Sequence, residues 1–209
     1  MAAKQTDGHH PMTARYLDQE KVRKALDSAQ SFGASYAEVR VVALTESTVA
    51  MRDGALEKAI PGQELGMTLR VLADGAWGVH STTDLASLND QIESTTRLAK
   101  AVAQRRSPSE RPKALAEVPV IEDETHWRSK LDVRHTELDE KIRLMNEMHS
   151  GATGHDDIVS VRTGWSDEHI HTELMTTEGM DRVWSFQRSL IHGMVTARRD
   201  GEVVSYRTR

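Results

Sequence analysis

The stretch 33–102 constrains this chain most. There, short alternating segments and turn dipeptides follow one another in a set order and then give way to a long amphipathic run. Residues 36–43 alternate, with Ala37, Val39 and Val41 on one side and Glu38 and Arg40 on the other, which predicts a half-buried strand. Residues 45–51 are rich in Thr and Val and predict a second strand. Asp53-Gly54 turns the chain into a third at 55–60, which Pro61-Gly62 is expected to end. Met67, Leu69 and Val71 line one face of a fourth, with Thr68 and Arg70 opposite. Asp74-Gly75 then turns into a fifth at 77–81.

Helices bracket these strands. Val22, Ala25, Leu26 and Ala29 form one stripe of a helix predicted over 17–30, with Gly33 suited to the left-handed position after it. A second helix is predicted over 84–104, capped by Thr83 or Asp84, with Leu85, Leu88, Ile92, Thr95, Ala99 and Val102 on its buried face. The prolines 108, 112 and 119 and the acidic run Glu122-Asp123-Glu124 mark 105–124 as a solvated linker with an extended piece at 118–121. A third helix follows at 136–148, with Thr136 and Asp139 as a capping box and Leu138, Ile142, Met145 and Met148 on one face. The rest reads as strands at 158–163, 169–176, 182–189, 190–197 and 203–207, with turns at Glu178-Gly179 and Asp200-Gly201.

The expected fold is therefore α+β, two layered units that each join helix to antiparallel sheet. A disordered tail at 1–16, which contains His9-His10, precedes a first unit at 17–104. The linker at 105–124 leads to a second unit at 125–209. The last strand has neither turn nor cap after it, so the second unit is expected to continue past residue 209.

Composition narrows the function. The net charge of -5 argues against a nucleic-acid partner, whose phosphates demand a basic surface. The absence of cysteine excludes disulfides and thiolate metal sites and suits a cytoplasmic protein. No apolar run is long enough to span a bilayer. With aromatics at 4%, the core must be built mainly from Val, Leu, Ile, Met and Ala.

The ordered set of the 37–40 strand, the Arg52-Asp53-Gly54 turn, the 66–71 strand and the Asp74-Gly75-Ala76-Trp77-Gly78 turn resembles the first domain of the TldD/PmbA family. The Thr177-Glu178-Gly179 turn and the final meander extend the resemblance into the second unit. The family comprises zinc metallopeptidases and their metal-free partners. The resemblance implies a front region that flanks a peptide cleft and helps subunits pair. It also implies zinc in a full-length catalytic member, held by an H-E-x-x-x-H helix and a distant cysteine. This chain contains no His-Glu dipeptide and no cysteine, so no catalytic residue carries over and no cofactor is expected in it.

Several further residues have a functional account and a plainer one. His169 and His171 project to one strand face, shared by Glu173, and such a pair can bind a transition metal. A solvated polar face opposite Ile170 and Leu174 is the favoured account, since a catalytic zinc needs three ligands. Trp77 is a peptide-groove candidate, against a plain role in capping the sheet edge. Trp165 and Trp184 are expected to fill the second core, with their indole N–H groups seeking acceptors. Gly62, Gly66, Gly75 and Gly78 fit no phosphate-loop spacing and are expected in turns.

The expected function is the cleft-forming, subunit-pairing region of a TldD-like zinc metallopeptidase acting on unfolded peptides, inactive by itself. The alternative is a non-catalytic module that binds peptide or pairs with a complete homologue. The partners expected are an unfolded peptide and a second copy or homologue, with neither nucleic acid nor membrane.

Overall fold

The computed structural model describes residues 15–107, 109, 115–127 and 129–208. The expectations for residues 1–14, including His9-His10, and for Pro108 and Pro112 lie outside them. Among the described residues three α-helices, α1 (Gln19–Ser31), α2 (Leu88–Arg105) and α3 (Leu138–Ala152), accompany seven strands. The strands are β1 (Ala34–Arg52), β2 (Ala55–Ala73), β3 (Ala76–Thr82), β4 (Glu122–His126), β5 (Ile158–Thr176), β6 (Asp181–Arg199) and β7 (Glu202–Thr208). They hydrogen-bond in the order β3-β2-β1-β5-β6-β4, with β7 also on β6, and the class is α+β.

Four strands run for 19 residues each, where a common strand has about five or six. The sequence expectation cut each of them in two. For β2 the cause was Pro61-Gly62. The pairing of β2 with β3 covers Met67–Ala73, so Pro61 lies where the strand is an edge, and an edge tolerates a missing N–H donor.

Two-residue turns join β1 to β2, β2 to β3 and β6 to β7. In each, both residues have positive φ: Asp53 and Gly54 at 50° and 79°, Asp74 and Gly75 at 51° and 75°, Asp200 and Gly201 at 52° and 86°. This is the type I′ geometry that matches the twist of antiparallel strands, and Asp-Gly is suited to it.

The structure has two compact units, each drawn from interleaved segments rather than from consecutive halves of the chain. Unit 1 comprises residues 1–41, 66–126 and 173–183, and unit 2 comprises 42–65, 127–172 and 184–209. The long strands contribute one part to each unit, which is why a division at a linker does not describe them.

In unit 1, α1 buries Val22, Ala25, Leu26 and Ala29 as its stripe predicts. Asp18 caps it, accepting the Lys21 N–H at 3.0 Å, and Gly33 at φ 92° ends it. Helix α2 packs on α1 and β3. It starts four residues later than expected, because Asp84 is used in a local turn in which its carboxylate accepts the Ala86 N–H at 2.8 Å. The expected 1–16 tail is held at its end: Arg15 pairs with Asp181 at 2.6 Å, and the Tyr16 N–H donates to Glu173 at 2.6 Å. The acidic run is the strand β4 rather than a solvated linker, and Asp123 pairs there with Arg182 at 2.9 Å.

In unit 2, α3 lays Met145 into a core with Val49, Met51 and Trp165, flanked by Leu138, Ile142, Leu144 and Met148. The expected Thr136 capping box does not form. Thr136 donates to the Asp132 carbonyl instead, and Glu137 occupies the cap position without a side-chain bond.

Of the glycines expected in turns, only Gly75 is in one. Gly62, Gly66 and Gly78 lie within strands. At Gly78 a Cβ would stand 2.4 Å from the Thr95 carbonyl oxygen and 3.0 Å from the Ala99 nitrogen, both backbone atoms of α2. Glycine is what lets this helix sit on β3. Gly78→Ala should therefore force the two apart and cost about 1–3 kcal/mol of stability, read as a lowered urea midpoint. An unchanged midpoint would show that the contact yields freely.

Candidate functional site

In unit 1 the side chains gather around Trp77. Met67, Leu69 and Val71 face inward on β2, so Arg70 points to the other side, as alternation requires. There its guanidinium lies 4.5 Å from the centre of the Trp77 ring. The Tyr36 ring meets Trp77 edge-on, with centroids 5.8 Å apart and planes at 80°. Such contacts are individually worth about 0.5–1.5 kcal/mol. Beneath them Glu38 is 4% exposed. Its carboxylate accepts the Tyr36 hydroxyl at 2.7 Å and Arg70 Nη1 at 3.3 Å, with Arg40 at 3.8 Å. Burial pushes the Tyr36 phenol above its usual range, and donation to the Glu38 carboxylate pushes it further. Trp77 itself is half-buried, with one face under the Arg70 guanidinium. The arrangement sets a half-exposed aromatic ring beside an Arg70–Glu38 ion pair.

Unit 2 carries a different cluster. Lys141, on α3, is 3% exposed. Its ammonium donates to Asp167 at 2.7 Å, to the Ser47 hydroxyl at 2.8 Å and to the Val133 carbonyl at 3.3 Å. All three of its protons are thereby used. Asp167 accepts in addition from Ser47 at 3.0 Å and from the Trp165 indole N–H. An open cavity of about 400 Å³ adjoins this network, lined by Ser47, Thr48, Asp167, Glu168, Arg188 and Leu190. Glu168 pairs with Arg188 at its rim.

His169 and His171 do share a face of β5, but the face is buried, at 8% and 6% exposure, together with Asp167. The solvated-face reading is therefore wrong. In β5 the polar side chains go inside and Glu168, Ile170 and Leu174 lie half-buried. The periodicity predicts which residues share a face and not which face meets solvent. Glu173, third on that face, accepts the Tyr16 N–H. Among the described residues no group of three or more His, Cys, Asp or Glu is placed to hold a metal, so the donor set present does not fit the zinc implied by the resemblance. No described helix is long and apolar enough to cross a membrane.

Sequence reading missed Lys141, Ser47, Glu38 and Tyr36. One signal was available. Lys141 falls three residues after Leu138 and four before Met145, inside the apolar stripe of α3, where a charge demands a buried partner. Nothing local marks Asp167 or Ser47 as that partner, since they are 26 and 94 residues away along the chain. Trp165 fills the core as expected and finds its acceptor in Asp167.

Residues 37–104 match the family model described as PmbA/TldA metallopeptidase domain 1, and residues 131–209 match the PmbA/TldA metallopeptidase central domain. A metalloprotease of Methanocaldococcus jannaschii, MJ0996, is 23% identical over 90% of this chain and 40% of its own length. A metalloprotease of Methanothermobacter thermautotrophicus is 26% identical over 69% of this chain and 30% of its own. The crystal structure of TldE from Thermococcus kodakarensis shares the fold, with a TM-score of 0.61 at 14% identity over 90% of this chain and 42% of that one. The chain thus spans less than half the length of these relatives.

Two predictions follow from the clusters. Lys141→Met leaves Asp167 charged and buried without its partner, and should cost about 3–5 kcal/mol in urea unfolding, much of it regained by adding Asp167→Asn. Equal stability of the two variants would show that the pair is not coupled. For Tyr36, the folded state favours the protonated phenol, so its contribution is intact below the ordinary value of 10.0 and is lost as pH rises above it. Tyr36→Phe should therefore be less sensitive than the parent to alkaline unfolding above pH 10, read by circular dichroism. Parallel pH curves would remove Tyr36 from that role.

Proposed function

The chain belongs to the PmbA/TldD metallopeptidase family, and from that membership we propose that it forms the peptide-holding and subunit-pairing region of a zinc metallopeptidase acting on unfolded peptides. The observation that carries this reading is the order of the two matches, domain 1 followed by the central domain, over 37–104 and 131–209. The substrate is an extended chain, because a sheet presents backbone N–H and C=O groups that recognise another backbone whatever its side chains. Trp77 supplies the apolar contact. Its ring is fixed from one side by Arg70 and from its edge by Tyr36, so little freedom is lost when a side chain settles on it.

Hydrolysis itself is assigned to zinc ligands and a general base outside the residues described, since those described offer no three-ligand set. That observation also favours the second reading, a non-catalytic module that pairs with a complete homologue.

The test uses the 209-residue chain and a fluorescein-labelled, unfolded casein peptide. Binding should raise the anisotropy, and Trp77→Ala should weaken it about fivefold, a loss of roughly 1 kcal/mol. No cleavage should appear with added zinc. Cleavage by this chain would overturn the division of labour. Failure to bind at about millimolar peptide would leave the pairing module as the surviving account.

A further inference from the structure

In unit 1, the sheet face turned away from α2 carries an unequal set of charges. Gly78 meets α2, so its neighbours on β3, Trp77 and Val79, point to the opposite side. Arg70 of β2 joins them there, over the Trp77 ring. Glu38 and Arg40, two residues apart on β1, share that side. One oxygen, Oε1 of Glu38, serves both guanidiniums, with Arg70 Nη1 at 3.3 Å and Arg40 Nη2 at 3.8 Å. The other oxygen accepts the Tyr36 hydroxyl at 2.7 Å.

Two cations thus stand against one buried anion. The Tyr36 phenol, held in its protonated form, adds no negative charge at neutral pH. The other acid acting on that phenol is Glu178, which is exposed. Thr177 pairs with Ala37 and Val161 with Asp53, so β5 runs antiparallel to β1. Glu178 therefore lies past the Tyr36 end of β1, away from Arg40, where water and salt screen it.

The arginines also keep unused donors. Arg40 makes no hydrogen bond among the described residues, and its Nε is buried without an acceptor. Arg70 uses one N–H on Glu38. With side chains 43% and 42% exposed, both guanidiniums remain open to solvent. Glu38 and the Trp77 ring already fix where they sit, so little freedom is left to lose when a ligand arrives.

We propose that Arg40 and Arg70 form a subsite for a carboxylate of the bound peptide, next to the apolar contact on Trp77. This rests on the peptide-holding part of the proposed function and names the chemistry selected there. A carboxylate matches the planar fork of a guanidinium, accepting two N–H groups at once, and it supplies the second negative charge that the pair of arginines lacks. A neutral or basic side chain leaves that charge uncompensated. In an extended peptide, residues two apart share a face, so one peptide can set an apolar side chain on Trp77 and a carboxylate on the arginines. The carboxylate is that of an acidic side chain or of the peptide's own C-terminus.

Titration calorimetry of the 209-residue chain with three N-acetylated, unstructured octapeptides separates these sources. The first carries Leu at its sixth position, Glu at its eighth and a C-terminal amide. The second has Gln in place of Glu. The third is the Gln peptide with a free C-terminal carboxylate. One or both of the peptides with a carboxylate should bind about fivefold more tightly than the Gln amide, and which of them does so names the source. Salt at about 0.5 M should shrink the preference. Arg40→Gln should erase it. Arg40→Lys, which keeps the charge but not the fork, should retain part of it.

Equal affinity for all three peptides would overturn the carboxylate subsite and leave peptide holding in place. A preference that survives Arg40→Gln would do the same. No binding of any of the peptides at about 1 mM would overturn both readings.

Discussion

A strand of 19 residues has one acceptable register. A slip of one position moves each of its side chains to the opposite face, and here both faces of several strands hold buried groups. The constraint is met locally. At three hairpins the chain reverses in two residues, and the pairing of everything beyond the turn is set there. The β1–β5 pairing is fixed by side chains as well as backbone. Thr177 exchanges bonds with Ala37, through its hydroxyl at 3.0 Å and its N–H at 2.9 Å. Asp53 receives the Val161 N–H at 2.8 Å and returns its own N–H at 2.8 Å.

Within that frame each unit buries one charged knot. Glu38 under Tyr36 and Arg70, and Lys141 against Asp167 and Ser47, add little net stability compared with apolar side chains of the same size. What they exclude is misplacement. Lys141 finds all three of its acceptors only when α3 sits at the correct height on the strands that carry Ser47 and Asp167. Apolar contacts such as Met145 on Trp165 are more tolerant of a shift.

Much of the fold was legible because its signals are local. The α1 stripe, Gly33 after it and the Asp-Gly turns each depend on a few neighbouring residues and appear where they are expected. Other features are set by partners far away in sequence. Pro61 stays inside a strand because of how far β3 extends alongside β2. Asp84 leaves its expected capping role because a nearer turn claims its carboxylate. The candidate sites were harder still. Trp77 was singled out as an aromatic beside glycines, but the cation and phenol that hold it come from β2 and β1. His169 and His171 were placed on the correct face with the wrong exposure, since alternation carries no sign.

The Asp-Gly turns have a chemical side too. In such a dipeptide the glycine nitrogen can attack the aspartate side chain to close a succinimide, and reopening leaves the main chain running through the side-chain carbon. Asp53, Asp74 and Asp200 are all exposed to the water that drives this ageing. An isoaspartate at any of them would lengthen the backbone by one carbon at the residue that sets strand register. The chemical lifetime of this protein is thus tied to the same three dipeptides that define its hairpins.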